Sequence, residues 1–171
     1  IQYDKFQPIF NNYLNRLQRG KHLSKFRFED KYLVALDATQ YHSSETIKCE
    51  ECLQKKKRNG KVEYSHQALQ AIICDPEQKQ IFPLMPEPIK NTDGDKKQDC
   101  EINAAKRLLP KLRSQHPRIN FIWLADSIYA TKPFIESITQ NGEDYIFRIK
   151  QGNHKHLYEF LDSSEYQSHK S

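Results

Sequence analysis

Two runs of consecutive apolar residues, each closed by an aspartate, constrain this chain more than any other feature. Leu33, Val34, Ala35 and Leu36 lead into Asp37, and Phe121, Ile122, Trp123, Leu124 and Ala125 lead into Asp126. A strand with one wet face alternates apolar and polar side chains, so a strand with apolar residues in succession is covered on both faces. Such strands sit at the centre of a sheet that has helices packed on it. Ligands of open α/β sheets bind outside the carboxyl ends of the strands. An aspartate after one strand is ordinarily a turn or cap residue, but two at equivalent ends of the only doubly buried strands form a pair.

The rest of the pattern fits around these strands. Pro8 suits a first helical position, Ile9, Tyr13, Leu14 and Leu17 share a helical face, and Gly20 is a stop. The first strand is expected over 31–38, followed by a polar excursion out of the sheet over 39–61 that ends in the turn signal Asn59-Gly60. Strands at 63–74 and 79–84, joined at Asp75-Pro76, read as an antiparallel hairpin. Asp99 can cap a helix that carries Ile102, Ala105, Leu108, Leu109 and Leu112 inward and that Pro110 should kink or shorten. After the strand ending at Asp126 come a helix over 132–141 closed by Asn141-Gly142, a strand over 144–149 and a helix over 154–161. The order predicts an α/β fold, a mixed sheet with flanking helices. It divides into an N-terminal helix and linker (1–30), a core (31–161) and a polar tail (162–171).

At 171 residues and 37% hydrophobic content the chain suits one domain. No apolar run approaches the ~20 residues of a membrane span, and the expected location is the cytoplasm. Four cysteines are too few and too unevenly spaced for a disulfide framework, so they read as thiols or ligands. Cys49 and Cys52, spaced C-x-x-C, could form a tetrahedral zinc site with His42 and His66, against the plainer alternative of a reduced pair in a loop. The net charge of +5 suits a polyanionic partner. Its carriers are Lys55, Lys56, Lys57 and Arg58 at a loop tip, and Arg148, Lys150, His154 and Lys155 after the last strand. Asp99 and Glu101 are explained by the positive end of a helix dipole, and Glu87 has no assigned role.

If the two doubly buried strands are neighbours, Asp37 and Asp126 meet at their ends. Two close carboxylates repel unless a cation lies between them. Hard oxygen ligands suit Mg2+ or Mn2+, which also bind phosphate oxygens, so phosphoryl transfer is the chemistry expected.

The stretches LVALDATQYHSSETIKCEECLQKK, NGKVEYSHQAL, PLMPEPI, DGDKKQDCEINAAKRLLPKL and ADSIYATKPFI resemble a DDE-type transposase of bacterial insertion sequences, over most of the chain. The resemblance implies a ribonuclease H-like fold and three acids holding two divalent ions. It carries the first acid to Asp37 and the second to Asp126. It further implies DNA strand cleavage and strand transfer, DNA as partner, and a homo-oligomer acting on paired DNA ends. The third acid of the family is a glutamate on a helix after the fifth strand. Glu159 is the candidate there, with Glu165 beyond it, but the expectation is that the true ligand lies past Ser171, leaving this piece inactive alone. The alternatives are an inactive DNA-binding remnant and a host nuclease of the same fold.

Overall fold

The computed structural model describes residues 3–91, 98–152 and 154–163, the side chains of Asp4 and 161–163 excepted. After helix α1 (Gln7–Arg19) come β1 (Arg27–Phe28), the long β2 (Lys31–Ser44), β3 (Leu53–Lys56), β4 (Val62–Cys74), β5 (Phe82–Pro83) and β6 (Glu87–Ile89). Then follow α2 (Glu101–Gln115), β7 (Phe121–Ala125), α3 (Lys132–Thr139), β8 (Asp144–Phe147) and α4 (Lys155–Ser163).

All the strands belong to one mixed sheet whose main path is β3-β4-β2-β7-β8. Strand β4 runs antiparallel to β2, while β7 and β8 continue the sheet in parallel. On its other edge β4 takes β3, β6 and β5 in succession, all antiparallel. Counting β5 and β6 as one broken strand, the principal strands lie third, second, first, fourth, fifth, with the second reversed. This is the mixed, ribonuclease H-like sheet that the sequence implied.

Strand β2 is central, as its composition required. Tyr32, Leu33, Val34 and Leu36 are buried, and so are Phe121, Ile122 and Trp123 of its parallel neighbour β7. Helix α2 seats Ala104, Ala105, Leu108, Leu109 and Leu112 in the same core, and α3 adds Phe134 and Ile138. From α1 only Leu14 is fully buried, with Leu17 packed against the core; Ile9 of the expected apolar face is 61% exposed.

Several local expectations are corrected. Strand β2 does not end at residue 38 but runs to Ser44, paired with β4 from Leu33 onward. Polar side chains beyond Asp37 belong to the part of the ladder that leaves the core. The register slips at Tyr41, a bulge that sets His42 opposite His66. Asp99 does not cap α2, whose N-cap is Cys100 without a side-chain bond; its carboxylate takes Arg107 instead, at 2.6 Å. Pro110 neither ends nor shortens α2. It is exposed, within a helix that continues to Gln115, and it cannot donate a backbone bond to the preceding turn.

Two buried acids hold the layers together. Glu143 accepts the Trp123 indole N–H at 2.6 Å and pairs with Arg113 at 3.2 Å. Glu87, far from being an idle loop acid, is buried between Arg107 and Lys111, at 2.8 and 2.6 Å. No helix among the described residues is long and apolar enough to cross a membrane.

Candidate functional site

The parallel ladder of β2 and β7 pairs Tyr32 with Phe121 and ends on Ala35 opposite Leu124. Two residues further along each strand stand Asp37 and Asp126, so the two acids occupy equivalent places on adjacent strands. Both are exposed, immediately past buried apolar stretches. Asp37 lies within β2, at the point where the strand leaves the covered part of the sheet, and not at its end.

The turn after β7 is built by Asp126 itself. Its Oδ1 accepts the backbone N–H of Ile128 at 3.0 Å, an Asx turn, and its carbonyl accepts that of Tyr129 at 3.2 Å. The turn sends the Tyr129 ring into the core, where it is buried against Phe134. From there the phenol donates to Glu101 Oε2 at 3.3 Å.

Glu101 opens α2 as the sequence implied, and it has a second environment besides the helix dipole. In the first turn the helix dipole favours an acid, and the charges of Asp37 and Asp126 also act on this one. Burial pushes its pKa up, the negative charges of Asp37 and Asp126 push the same way, and the Tyr129 bond opposes them. The Tyr129 hydroxyl is held far above its usual range, by burial first and then by Glu101, Asp37 and Asp126. Three carboxylates and a phenol from β2, the β7 turn and the start of α2 therefore share one electrostatic neighbourhood. The only sequence signal for Glu101 was its place in the first turn of a helix that must pack over the sheet.

Of the expected cations, Lys150 comes nearest, its Nζ 3.7 Å from Asp126 Oδ2. His154 Nε2 lies 3.4 Å from the carbonyl oxygen of Ser127, which brings the start of α4 to the same turn. Arg148 and Lys155 are exposed beside them. At the distant tip, Lys56 is exposed, but Lys57 is held by Glu45 and Glu63, each at 3.0 Å. Lys57 thus meets two carboxylates of its own chain, whereas Lys56 has no ion-pair partner among the described residues. Glu159 is exposed and pairs with His156 on its own helix at 3.3 Å; Glu165 lies outside the described residues.

The expected zinc ligands divide three to one. Cys49, Cys52 and His66 bring their donor atoms together, whereas His42, across the ladder, stands outside that group with its ring centroid 5.8 Å from that of His66.

No family model and no curated protein matches the chain. Among solved structures it is similar to the piggyBac transposase in a cryo-EM synaptic complex with hairpin DNA, at 13% identity and a TM-score of 0.47. The match takes in 80% of this chain and 27% of that one, so the chain spans about a quarter of the transposase it resembles.

Proposed function

We propose that this chain is the catalytic core of a DDE-type DNA transposase, with Asp37, Asp126 and Glu101 as its acidic ligands. The observation that carries the reading is the equivalence of Asp37 and Asp126 past the end of the parallel β2–β7 ladder, with a third carboxylate, Glu101, close enough to feel the charge of both. The donors are of the kind a divalent ion takes, three hard carboxylates with Lys150 beside Asp126, and burial and then the charges of Asp37 and Asp126 raise the pKa of Glu101; among the described residues only Cys49, Cys52 and His66 already bring their donor atoms within reach of one ion. Mg2+ or Mn2+ bound there would activate a water or a 3′-hydroxyl and stabilise the leaving oxygen in attack on a DNA phosphodiester.

The chain's own residues supply the rest. Asp126 is oriented by its Asx turn, which leaves Oδ2 toward Lys150. Tyr129 restrains Glu101 and favours its charged form. Arg148 and Lys150, next to the acids, would hold the phosphates on either side of the reacting one without reading bases. Glu101 removes the need for an acid beyond Ser171, and Glu159 takes no part in this assignment.

The test has two readouts. Calorimetry should show Mn2+ binding to the wild-type chain and its loss in Asp37→Asn and Asp126→Asn. Nicking of supercoiled DNA should require Mg2+ or Mn2+ and fall by at least about 100-fold in both variants and in Glu101→Gln. A folded wild type that binds no Mn2+, or nicking that survives Asp37→Asn, would sink the proposal.

A further inference from the structure

Cys49, Cys52 and His66 form a second cluster, at the far end of β4 from the core. Cys49 Sγ and Cys52 Sγ are 3.6 Å apart, and His66 Nε2 lies 3.3 Å from the first and 3.5 Å from the second. With Zn–S near 2.3 Å and Zn–N near 2.0–2.1 Å, the edges of a tetrahedral site run from about 3.5 to 3.8 Å. The three donor atoms thus outline one face of such a tetrahedron. A disulfide would need the sulfurs at about 2.0 Å, and both cysteines are free.

The surroundings are those of a ligand set already in place. Cys52 N–H donates to the Cys49 carbonyl at 3.2 Å, closing a turn, and Cys49 N–H donates to Cys52 Sγ at 3.2 Å. Cys52 is buried, and the His66 ring is stacked on Tyr41 at 5.8 Å between centroids. The segment from Glu45 to Glu51 has almost no apolar anchorage of its own, since Ile47 is 67% exposed. Beyond the cysteines it is tied down by short polar contacts: Ser44 Oγ to the N–H of Ile47, and Glu51 to Lys90 and the Asn91 N–H.

We propose that Cys49, Cys52 and His66 bind a structural zinc ion that staples loop 45–52 to strand β4. The site ties a polar loop to a strand that the core anchors through Leu69, Ala71 and Ile73. By ordering the loop it also sets the start of β3 and hence the basic tip that β3 and β4 carry. It stands independently of the carboxylate site, because neither its ligands nor its neighbours belong to that cluster.

Metal analysis of the intact chain purified without chelator tests this. About one zinc per chain is expected for wild type and for the control Cys74→Ser, and less than about a tenth of that for Cys49→Ser and His66→Asn. Cys49 is exposed, so its serine variant removes a ligand without opening the core. Cobalt titration of the chelator-stripped wild type keeps the test independent of any variant's folding. It should give thiolate-to-cobalt charge-transfer absorption and tetrahedral visible bands. Stripping zinc should also raise tryptic cleavage at Lys48 by about tenfold, because the loop loses its tether. A folded wild type without zinc and without the cobalt bands, or full zinc content in Cys49→Ser and His66→Asn, would overturn the site.

Discussion

Tyr129 donates its hydroxyl hydrogen to Glu101 across 3.3 Å, and this bond joins the turn after Asp126 to the first residue of α2. It supports the charged form of a carboxylate that burial and two neighbouring aspartates otherwise push toward protonation. Tyr129→Phe keeps the ring in the core and removes only the donor. Stability should fall by about 1 kcal/mol. Because the Glu101 pKa then rises further, the pH at which Mn2+ binding reaches half its maximum should move upward. Calorimetric Mn2+ titrations across pH check the sign: an unchanged profile would mean that the bond does not bear on the acid cluster.

Glu143 is a buried acid with two partners, the Trp123 indole and Arg113. Burial raises its pKa, and both partners oppose the rise. Glu143→Ala leaves Arg113 facing an uncompensated pocket and the indole without an acceptor. A loss on the order of 3 kcal/mol is expected, read from urea unfolding midpoints. Glu143→Gln, which keeps an acceptor for the indole, should lose less.

His116 caps the C-terminal end of α2 and is buried, and burial alone holds its pKa below the usual 6.5. The folded state therefore resists protonation while the unfolded chain accepts it. Stability is full above about pH 6.5 and declines as the pH falls from there toward the lower folded-state value. Acids with lowered pKa, such as Glu45 and Glu51, lose their contribution only at or below the usual carboxylate range of 4.5. Between these limits His116 lowers stability as the pH falls, while Glu101 and Glu143, whose pKa values are raised, act the other way, so the difference in unfolding free energy between wild type and His116→Asn should itself shrink as the pH falls through this range.

Arg148 is exposed and has no ion-pair partner among the described residues, whereas Lys57 is shared by Glu45 and Glu63. On the proposed function Arg148→Ala should weaken DNA binding and reduce the slope of log affinity against log salt by about 0.9, the loss of one phosphate contact. Lys57→Ala should leave that slope nearly unchanged and move the unfolding midpoint little, since its pairs are partly exposed. Fluorescence anisotropy at several salt concentrations separates the two. Equal slopes for Arg148→Ala and wild type would remove the phosphate role.

Much of this molecule was legible in one dimension. Runs of consecutive apolar residues announced two doubly covered strands, the Asp75-Pro76 turn announced the hairpin, and the acids that close the runs take the equivalent places past the β2–β7 ladder that their positions implied. Local periodicity and turn chemistry carry that information, since each depends on neighbours within a few residues. Composition misled where a strand outlives its buried part. Residues 39–44 are polar because β2 leaves the core there, and their strand pairing comes from β4.

Tertiary structure decided the rest. Glu101 looked complete as a helix-dipole acid, and only the packing of α2 against the sheet brought it under the charge of Asp37 and Asp126. Lys57 looked free until folding brought Glu45 and Glu63 to it. Cys49 and Cys52 were a weak signal alone, and it took the β2–β4 ladder to place His66 against both thiols while leaving His42 aside. The sequence by itself determined which strands are buried and which acids end their buried runs, because burial leaves a local pattern. Which side chains share a site depended on contacts between residues tens of positions apart, and these exist only once the sheet has closed.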